Sequence, residues 1–235
     1  MAIAHIRAKF SGQRAYFFGI GMSLGANFLL RTAGEQGKAL TLDALISLNN
    51  PFDVWLAVNL MRETPYEKYL ASELKHLITG KLSMPEQEKG VIDELLTKHR
   101  IDIEKIKLVN SWRDWDEHLT SKAFPGYKTV ADYYLAASSL SKIKHIEVPT
   151  LVIHSKDDPI VPFECLPTSE CLTNPKIIVA TVEKGGHVCY FQGAKGQKRW
   201  YPFVSAEFLH AVIQVKEEGR RKRESDIREV ELASV

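Results

Sequence analysis

The chain is predicted to be an α/β protein with a mostly parallel sheet and a helical insertion, on three observations. Short apolar runs alternate with segments of helical periodicity, the pattern of strand–helix–strand units. A length of 235 residues, 45% hydrophobic and 26% charged, supports one domain with a sizeable core. Between the second and third apolar runs lies a stretch of about 90 residues with helical periodicity only, which reads as an insertion at a strand end.

The elements are taken in chain order. Residues 3–10 read as the end of a helix, stopped by Ser11-Gly12. Residues 15–20 are the first strand, succeeded by a turn and a helix over 24–35 closed by Gly37. Residues 42–48 are a second buried strand, ended by the turn signal Asn49-Asn50-Pro51. Helical periodicity then covers 55–61, 66–77, 86–98 and 127–140, punctuated by Pro65, Gly80, Pro85 and Pro125. Pro149 introduces a third strand over 150–154, residues 176–182 are a fourth, and 206–215 form a helix packing back on the sheet. From Lys216 onward the chain is highly charged and is expected to fray. Residues 1–51 and 140–218 are thus expected to form the core, 52–139 a helical cap over the cleft, and 219–235 a charged tail.

Composition narrows the function classes. A formal charge of +2 gives no reason to expect a nucleic-acid partner, and the Arg220-Arg221-Lys222-Arg223 run is interleaved with acids. Cys165, Cys171 and Cys189 have no CxxC spacing, so they fit a reducing compartment and neither a disulfide framework nor a metal site. No apolar run approaches the roughly 20 residues that cross a bilayer, and the first ten residues are too charged for a signal peptide. The expectation is a soluble, cytoplasmic chain.

The chemistry centres on Gly21-Met22-Ser23-Leu24-Gly25, between an apolar strand and an amphipathic helix. A strand–turn–helix with serine at its apex lifts the hydroxyl into a cleft and aims a helix N-terminus at it. A serine nucleophile needs a base and an acid at neighbouring strand ends. The third strand runs into Asp157-Asp158-Pro159-Ile160-Val161-Pro162, and the fourth ends in Gly185-Gly186-His187. The order Ser23, Asp158, His187 therefore assigns nucleophile, acid and base, with the Leu24 backbone N–H as one oxyanion donor. Asp158 is preferred to Asp157 because it stands immediately before Pro159; Asp157 is read as a solvated turn residue. His154 reads as a packing residue at the strand end, Cys189 as a buried small hydrophobe, and Trp55, Trp112, Trp115 and Trp200 as packing. A dinucleotide turn over residues 19–25 is the rival reading. It would want an acid where Asn49-Asn50 stands, so no cofactor is expected.

Further stretches carry a resemblance. They are Gly25-Ala26-Asn27 with Leu29-Leu30-Arg31, Asn50-Pro51-Phe52-Asp53, Trp115-Asp116-Glu117 with Thr120-Ser121-Lys122, Gly126-Tyr127 with Asp132-Tyr133-Tyr134, and Glu207-Phe208-Leu209. Together with the Ser23, Asp158 and His187 motifs, they resemble the type 4 family of the AB hydrolase superfamily, of the α/β-hydrolase fold. The family includes medium-chain phospholipases, carboxylesterases and ethanol O-acyltransferases. The resemblance implies Ser23, Asp158 and His187 as charge-relay residues and short- or medium-chain acyl esters, including lipids, as substrates. A membrane-surface contact through the cap is a further implication, since family members often carry an anchor. It also implies that several strands, and the loop with the second oxyanion N–H, precede the first strand in longer members. The chain would then hold about four of roughly eight strands, with the serine's strand left as an exposed apolar edge.

Overall fold

The computed structural model describes residues 2–80, 86–124 and 126–233, so the proline signals at Pro85 and Pro125 lie outside the described residues. Strands β1 (Phe18–Met22), β2 (Ala44–Leu48), β3 (Thr150–Ser155) and β4 (Ile177–Val182) form one sheet in that order, each neighbour parallel. Register aligns their carboxyl ends: Met22 lies opposite Leu48, Leu48 opposite Ile153, and Ile153 opposite Ala180. The segments leaving these strands therefore converge on one edge of the sheet, where ligands sit in open parallel sheets.

Strands β2 and β3 are buried at every position, as a parallel sheet covered on both faces requires. Leu45 and Val152 face helix α2 (Leu24–Gln36), packing with Leu30, Ala33 and Phe52. Their neighbours Ile46, Leu48, Leu151 and Ile153 face Val204, Phe208 and Leu209 of helix α11 (Tyr201–Ala233). The first helix, α1 (Ala2–Lys9), and the short α10 (Thr168–Leu172) complete the core-side helices.

Strand β1 begins three residues later than the sequence predicts and runs directly into Ser23. Its glycines mark close packing within the strand and not a turn. A Cβ on Gly21 would sit 2.5 Å from the Ala26 Cα, so only glycine lets the helix fold back this tightly. Among the described residues no strand pairs with the outer edge of β1. Ile20 is 54% exposed, Met22 39% and Phe28 on α2 48%.

Between β2 and β3 lie α3 (Val54–Met61), α4 (Pro65–Thr79), α5 (Glu86–Lys98), α6 (Ile103–Leu108), α7 (Trp112–Trp115), a π turn over Asp116–Thr120, α8 (Ser121–Ala123) and α9 (Val130–Ala137). The starts of α3 and α4 are capped by the side chains of Asp53 and Thr64, and Pro65 takes the first helical position of α4. This insertion has its own core of Ala71, Ile78, Ile106, Val109 and Trp115. It leaves and rejoins the sheet side by side, through Leu140 N–H to Phe52 O (3.0 Å) and Val54 N–H to Ser138 Oγ (2.9 Å). Buried Asn27 of α2 ties the return point to the sheet layer, donating to Ala137 O and accepting from Ser139 N–H, both at 2.8 Å. Inside the insertion, burial raises the Asp116 carboxyl above its usual range even though Tyr134 donates to it at 2.7 Å.

The charged C-terminal segment is helical rather than frayed. Helix α11 continues through Arg220–Arg223 to Ala233, and charges in it as far as Glu224 find partners. Arg220 pairs with Glu217 and Glu224 at helical spacing, Arg14 and Tyr16 bind Glu217, and Lys216 reaches Asp43 at 2.7 Å. Asp43, at the foot of β2, also accepts from Phe17 N–H and Arg7. Burial works against its charge, but Lys216, Phe17 N–H and Arg7 outweigh it and hold the carboxyl below the usual range.

Candidate active site

Ser23 occupies the junction between β1 and α2 with φ 52° and ψ −129°, a backbone state that costs a non-glycine residue roughly 1–3 kcal/mol. Hydrogen bonds on both sides hold it there: Ser23 N–H donates to Leu48 O at 2.8 Å, and Ala26 N–H to Ser23 O at 2.9 Å. The result points Oγ away from the sheet with the first turn of α2 behind it. Of the two motif glycines, Gly21 is required by backbone approach, whereas a Cβ on Gly25 would meet nothing within 4 Å.

The three residues expected to act together are brought together. His187 Nε2 lies 2.9 Å from Ser23 Oγ, and His187 Nδ1 lies 2.8 Å from Asp158 Oδ2. With Nδ1–H donating to the carboxylate, Nε2 is the acceptor facing the serine hydroxyl. The Asp158 side chain is fully buried. Its Oδ1 accepts from Ile160 N–H (2.8 Å) and Val161 N–H (2.9 Å), a turn that the fixed φ of Pro159 favours. Its Oδ2 accepts a second bond, from Asn49 Nδ2 at 2.6 Å.

The histidine loop is an irregular turn with φ of 56° at Gly186, 61° at Val188 and 48° at Tyr190. Asp157 does more than the solvated turn role read from the sequence. Its exposed carboxylate accepts Gly185 N–H (2.7 Å) and Gly186 N–H (2.8 Å), clamping the loop. Those backbone bonds, Gly186 first and then Gly185, hold its carboxyl below the usual aspartate range. Tyr190 N–H closes the turn on Gly185 O at 2.8 Å, and Ser155 Oγ donates to Gly186 O at 2.6 Å. The left-handed residues on either side turn Cys189 outward. It is exposed, contrary to the buried reading, and its Sγ contacts His187 O at 3.4 Å.

His154 is buried on β3 and does not approach Ser23. Its Nε2 bonds Val161 O at 3.0 Å, which secures the aspartate turn, and burial lowers its basicity.

Over Ser23 and His187 opens a cavity of ≈ 120 Å³ with an apolar lining. Leu24 forms its floor, Val54, Ala57, Val58 and Met61 of α3 one wall, Ile160 and Val161 another, and Trp112 and Leu70 the roof. Trp112 thus faces the site, whereas Trp115 is buried in the insertion and Trp200 packs on Tyr190. Of the residues singled out in the sequence, Ser23, Leu24, Asp158 and His187 come together at this end of the sheet, whereas Asn49, read only as a turn signal, and the α3 wall are not singled out there. A polar residue immediately after a buried strand, with no solvent to meet, is the available hint for Asn49. Among the described residues no group of three or more His, Cys, Asp or Glu could hold a metal ion, and no helix is long and apolar enough to cross a membrane.

The chain has recognisable relatives among known proteins. No protein-family model matches the chain. It is 32% identical over 219 residues to a monoacylglycerol lipase of Saccharomyces cerevisiae, covering 90% of this chain and 46% of that protein. It is 30% identical over 177 residues to the putative esterase YheT of Escherichia coli, covering 74% of this chain and 48% of the relative. Phospholipase ABHD3 of Homo sapiens is 25% identical over 219 residues, 90% of this chain and 49% of that protein. The chain spans about half the length of these relatives. Among solved structures, an esterase of Pyrococcus furiosus is similar at a TM-score of 0.46 and 12% identity, over 89% of this chain and 58% of that one. The curated relatives fit the type 4 branch that the sequence motifs resemble, and with them the chain belongs to the α/β-hydrolase superfamily.

Proposed function

We propose that the chain carries a serine-dependent acyl-transfer site acting on carboxylic esters of short or medium acyl chain, lipid esters included. The observation that carries the reading is the unbroken chain of hydrogen bonds from Ser23 Oγ through His187 to buried Asp158, opening into an apolar cavity. In this reading the acyl chain lies along α3 and the ester carbonyl sits above Ser23. His187 Nε2 removes the Ser23 proton as Oγ attacks the carbonyl carbon, and Asp158 stabilises the imidazolium. The Leu24 N–H at the start of α2 donates to the developing oxyanion, a contact of a kind worth about 3–4 kcal/mol. Proton return from His187 to the leaving alkoxide frees the alcohol and leaves an acyl-enzyme on Ser23. Water or an alcohol, deprotonated by the same histidine, then releases the acid or a new ester. Exposed Tyr66 and Tyr69 stand on α4, whose Leu70 reaches the cavity, and they support delivery from a lipid surface through the insertion. The three free cysteines support a reducing compartment such as the cytoplasm.

The test is labelling by an alkyl fluorophosphonate, expected for the wild type and lost in Ser23→Ala. Equal labelling of both proteins overturns the assignment. A second reading, a non-catalytic interaction module, is favoured by one observation: β1, which carries Ser23, has an unpaired outer edge among the described residues. Turnover of p-nitrophenyl butyrate by the wild type, abolished in Ser23→Ala, eliminates that reading.

A further inference from the structure

Asn49 ends β2, the strand between the serine's strand and the aspartate's. It is fully buried and holds φ at 46°, a left-handed state that asparagine tolerates better than most residues. Its backbone N–H is fixed to Ile153 O at 2.9 Å, which pins the residue to β3 at the sheet edge where the site forms. Its side chain has a polarity that the surroundings assign. Tyr190 donates its hydroxyl to Asn49 Oδ1 at 2.6 Å, which leaves the Nδ2 hydrogens facing Asp158 Oδ2 at 2.6 Å. Ser155 Oγ and Gly186 O lie at 3.3 and 3.4 Å from the same nitrogen.

Strands β2 and β3, the aspartate turn and the histidine loop therefore meet on one amide. Asp158 Oδ2 receives two donors, Asn49 Nδ2 and His187 Nδ1, while Oδ1 is filled by Ile160 and Val161 N–H. The carboxylate cannot rotate without losing a bond to each neighbour. Nor can it spend its whole negative charge on the imidazole, because Asn49 competes for the same oxygen. The other titratable groups facing it are His154 on β3, Tyr190 on the histidine loop and the buried Cys165 beyond the aspartate turn, with Asp157 adjacent in the chain.

We propose that Asn49, oriented by Tyr190, is a positioning residue that fixes the rotamer of Asp158 and moderates its hold on the His187 imidazolium. The inference rests on the acyl-transfer reading of the site. Without the Asn49 donor, Oδ2 becomes a stronger acceptor for the His187 imidazolium. The proton must leave His187 before Ser23 can be activated, so the acid limb of the rate profile moves upward. At the same time the carboxylate gains freedom to turn, which lowers kcat without touching the acyl cavity.

The variants are Asn49→Gly, which keeps the left-handed backbone and removes the amide, and Asn49→Ala, which removes the amide while keeping a Cβ at the left-handed φ. In both, kcat for p-nitrophenyl butyrate is expected to fall about tenfold, the size of one lost hydrogen bond to a charged group. KM stays within about twofold of the wild type, since no cavity contact changes. The acid limb of kcat/KM moves upward. Tyr190→Phe, which keeps the ring packing, shifts it in the same direction by less. The downfield proton resonance of the His187 Nδ1–H, read by NMR without any turnover, moves in each variant. A residue that only stabilises the fold would lower the melting temperature and the active fraction while leaving the limb and the resonance in place. That result in a wild-type-active enzyme overturns the inference alone. A wild type inert to both ester and fluorophosphonate overturns the acyl-transfer reading instead, and an unmoved resonance in the variants then removes the role of Asn49 independently.

Discussion

Asp158→Asn is the most informative single change, because the geometry dictates which way the new amide must point. Asp158 Oδ1 accepts two backbone N–H groups at 2.8 and 2.9 Å, so the carbonyl oxygen of an asparagine would have to take that place. Its Nδ2 then falls where Oδ2 was, 2.6 Å from the Asn49 amide nitrogen and 2.8 Å from His187 Nδ1. Donor would face donor at Asn49. His187 could respond only by placing its proton on Nε2, which turns the base facing Ser23 into a donor. Loss of the correct tautomer in a serine–histidine–aspartate site typically lowers kcat by about 10⁴, equivalent to about 5.5 kcal/mol of transition-state stabilisation. The buried site also loses a charged hydrogen bond and gains a facing pair of donors, so stability falls by about 1–3 kcal/mol. The assay is kcat for p-nitrophenyl butyrate alongside thermal unfolding, with Asp157→Asn as the control. Asparagine at 157 keeps an oxygen for Gly185 and Gly186 N–H, so kcat stays within about threefold of wild type. An Asp158→Asn enzyme within tenfold of wild type, or an Asp157→Asn enzyme that is the more damaged, would refute this reasoning and the choice of acid.

Other expectations come from the packing. Gly21→Ala puts a methyl 2.5 Å from the Ala26 Cα and pushes α2 off β1. It should destabilise the fold by about 1–3 kcal/mol in chemical denaturation and slow fluorophosphonate labelling of Ser23. Ala57→Leu adds three carbons to a cavity of ≈ 120 Å³. It should reduce kcat/KM for octanoyl over butanoyl esters by about tenfold, the value of roughly two buried methylenes, in a chain-length series. Asp116 is raised by burial, so its contribution to stability is full below the unfolded carboxyl range and is lost as pH rises through its folded value. Asp116→Asn, which still accepts from Tyr134, should flatten that part of the stability–pH curve and raise the melting temperature at pH 8. Asp43 has the opposite sign. Its carboxyl is held low by Lys216, Phe17 N–H and Arg7, so its contribution is present above about pH 4 and is lost on further acidification, and Asp43→Asn should remove it.

Much of the site is legible in the sequence because its members are signalled locally. Ser23 announces itself by the glycines and the strand and helix that flank it, Asp158 by Pro159, and His187 by the paired glycines before it. Asn49 is different. Its meaning comes from two residues more than a hundred positions away, Asp158 and Tyr190, and a buried asparagine after a strand looks in one dimension like any turn. The α3 wall and Trp112 are illegible for the same reason, since helical periodicity gives an apolar face but not what that face meets. The C-terminal segment misleads in the other direction. Its charge density reads as solvation, whereas Lys216 is pinned to Asp43 at the foot of β2, and Glu217 to Arg14, Tyr16 and Arg220. Cys189 shows that a single left-handed residue on each side can invert an exposure that composition alone suggests.

The position of Ser23 at the end of an edge strand has a dynamic consequence. Its N–H bonds β2, so by the alternation of a strand the peptide groups of Ile20 and Met22 face the open side. Segments laddered on one side only open at lower free energy than central strands, and amide exchange should rank β1 well below β2 and β3. The reactive geometry of the serine can last no longer than the attachment of β1. Whatever polypeptide completes the ladder there would act as a governor of lifetime, raising the fraction of time in which the hydroxyl, imidazole and carboxylate are aligned without contributing an atom to the chemistry.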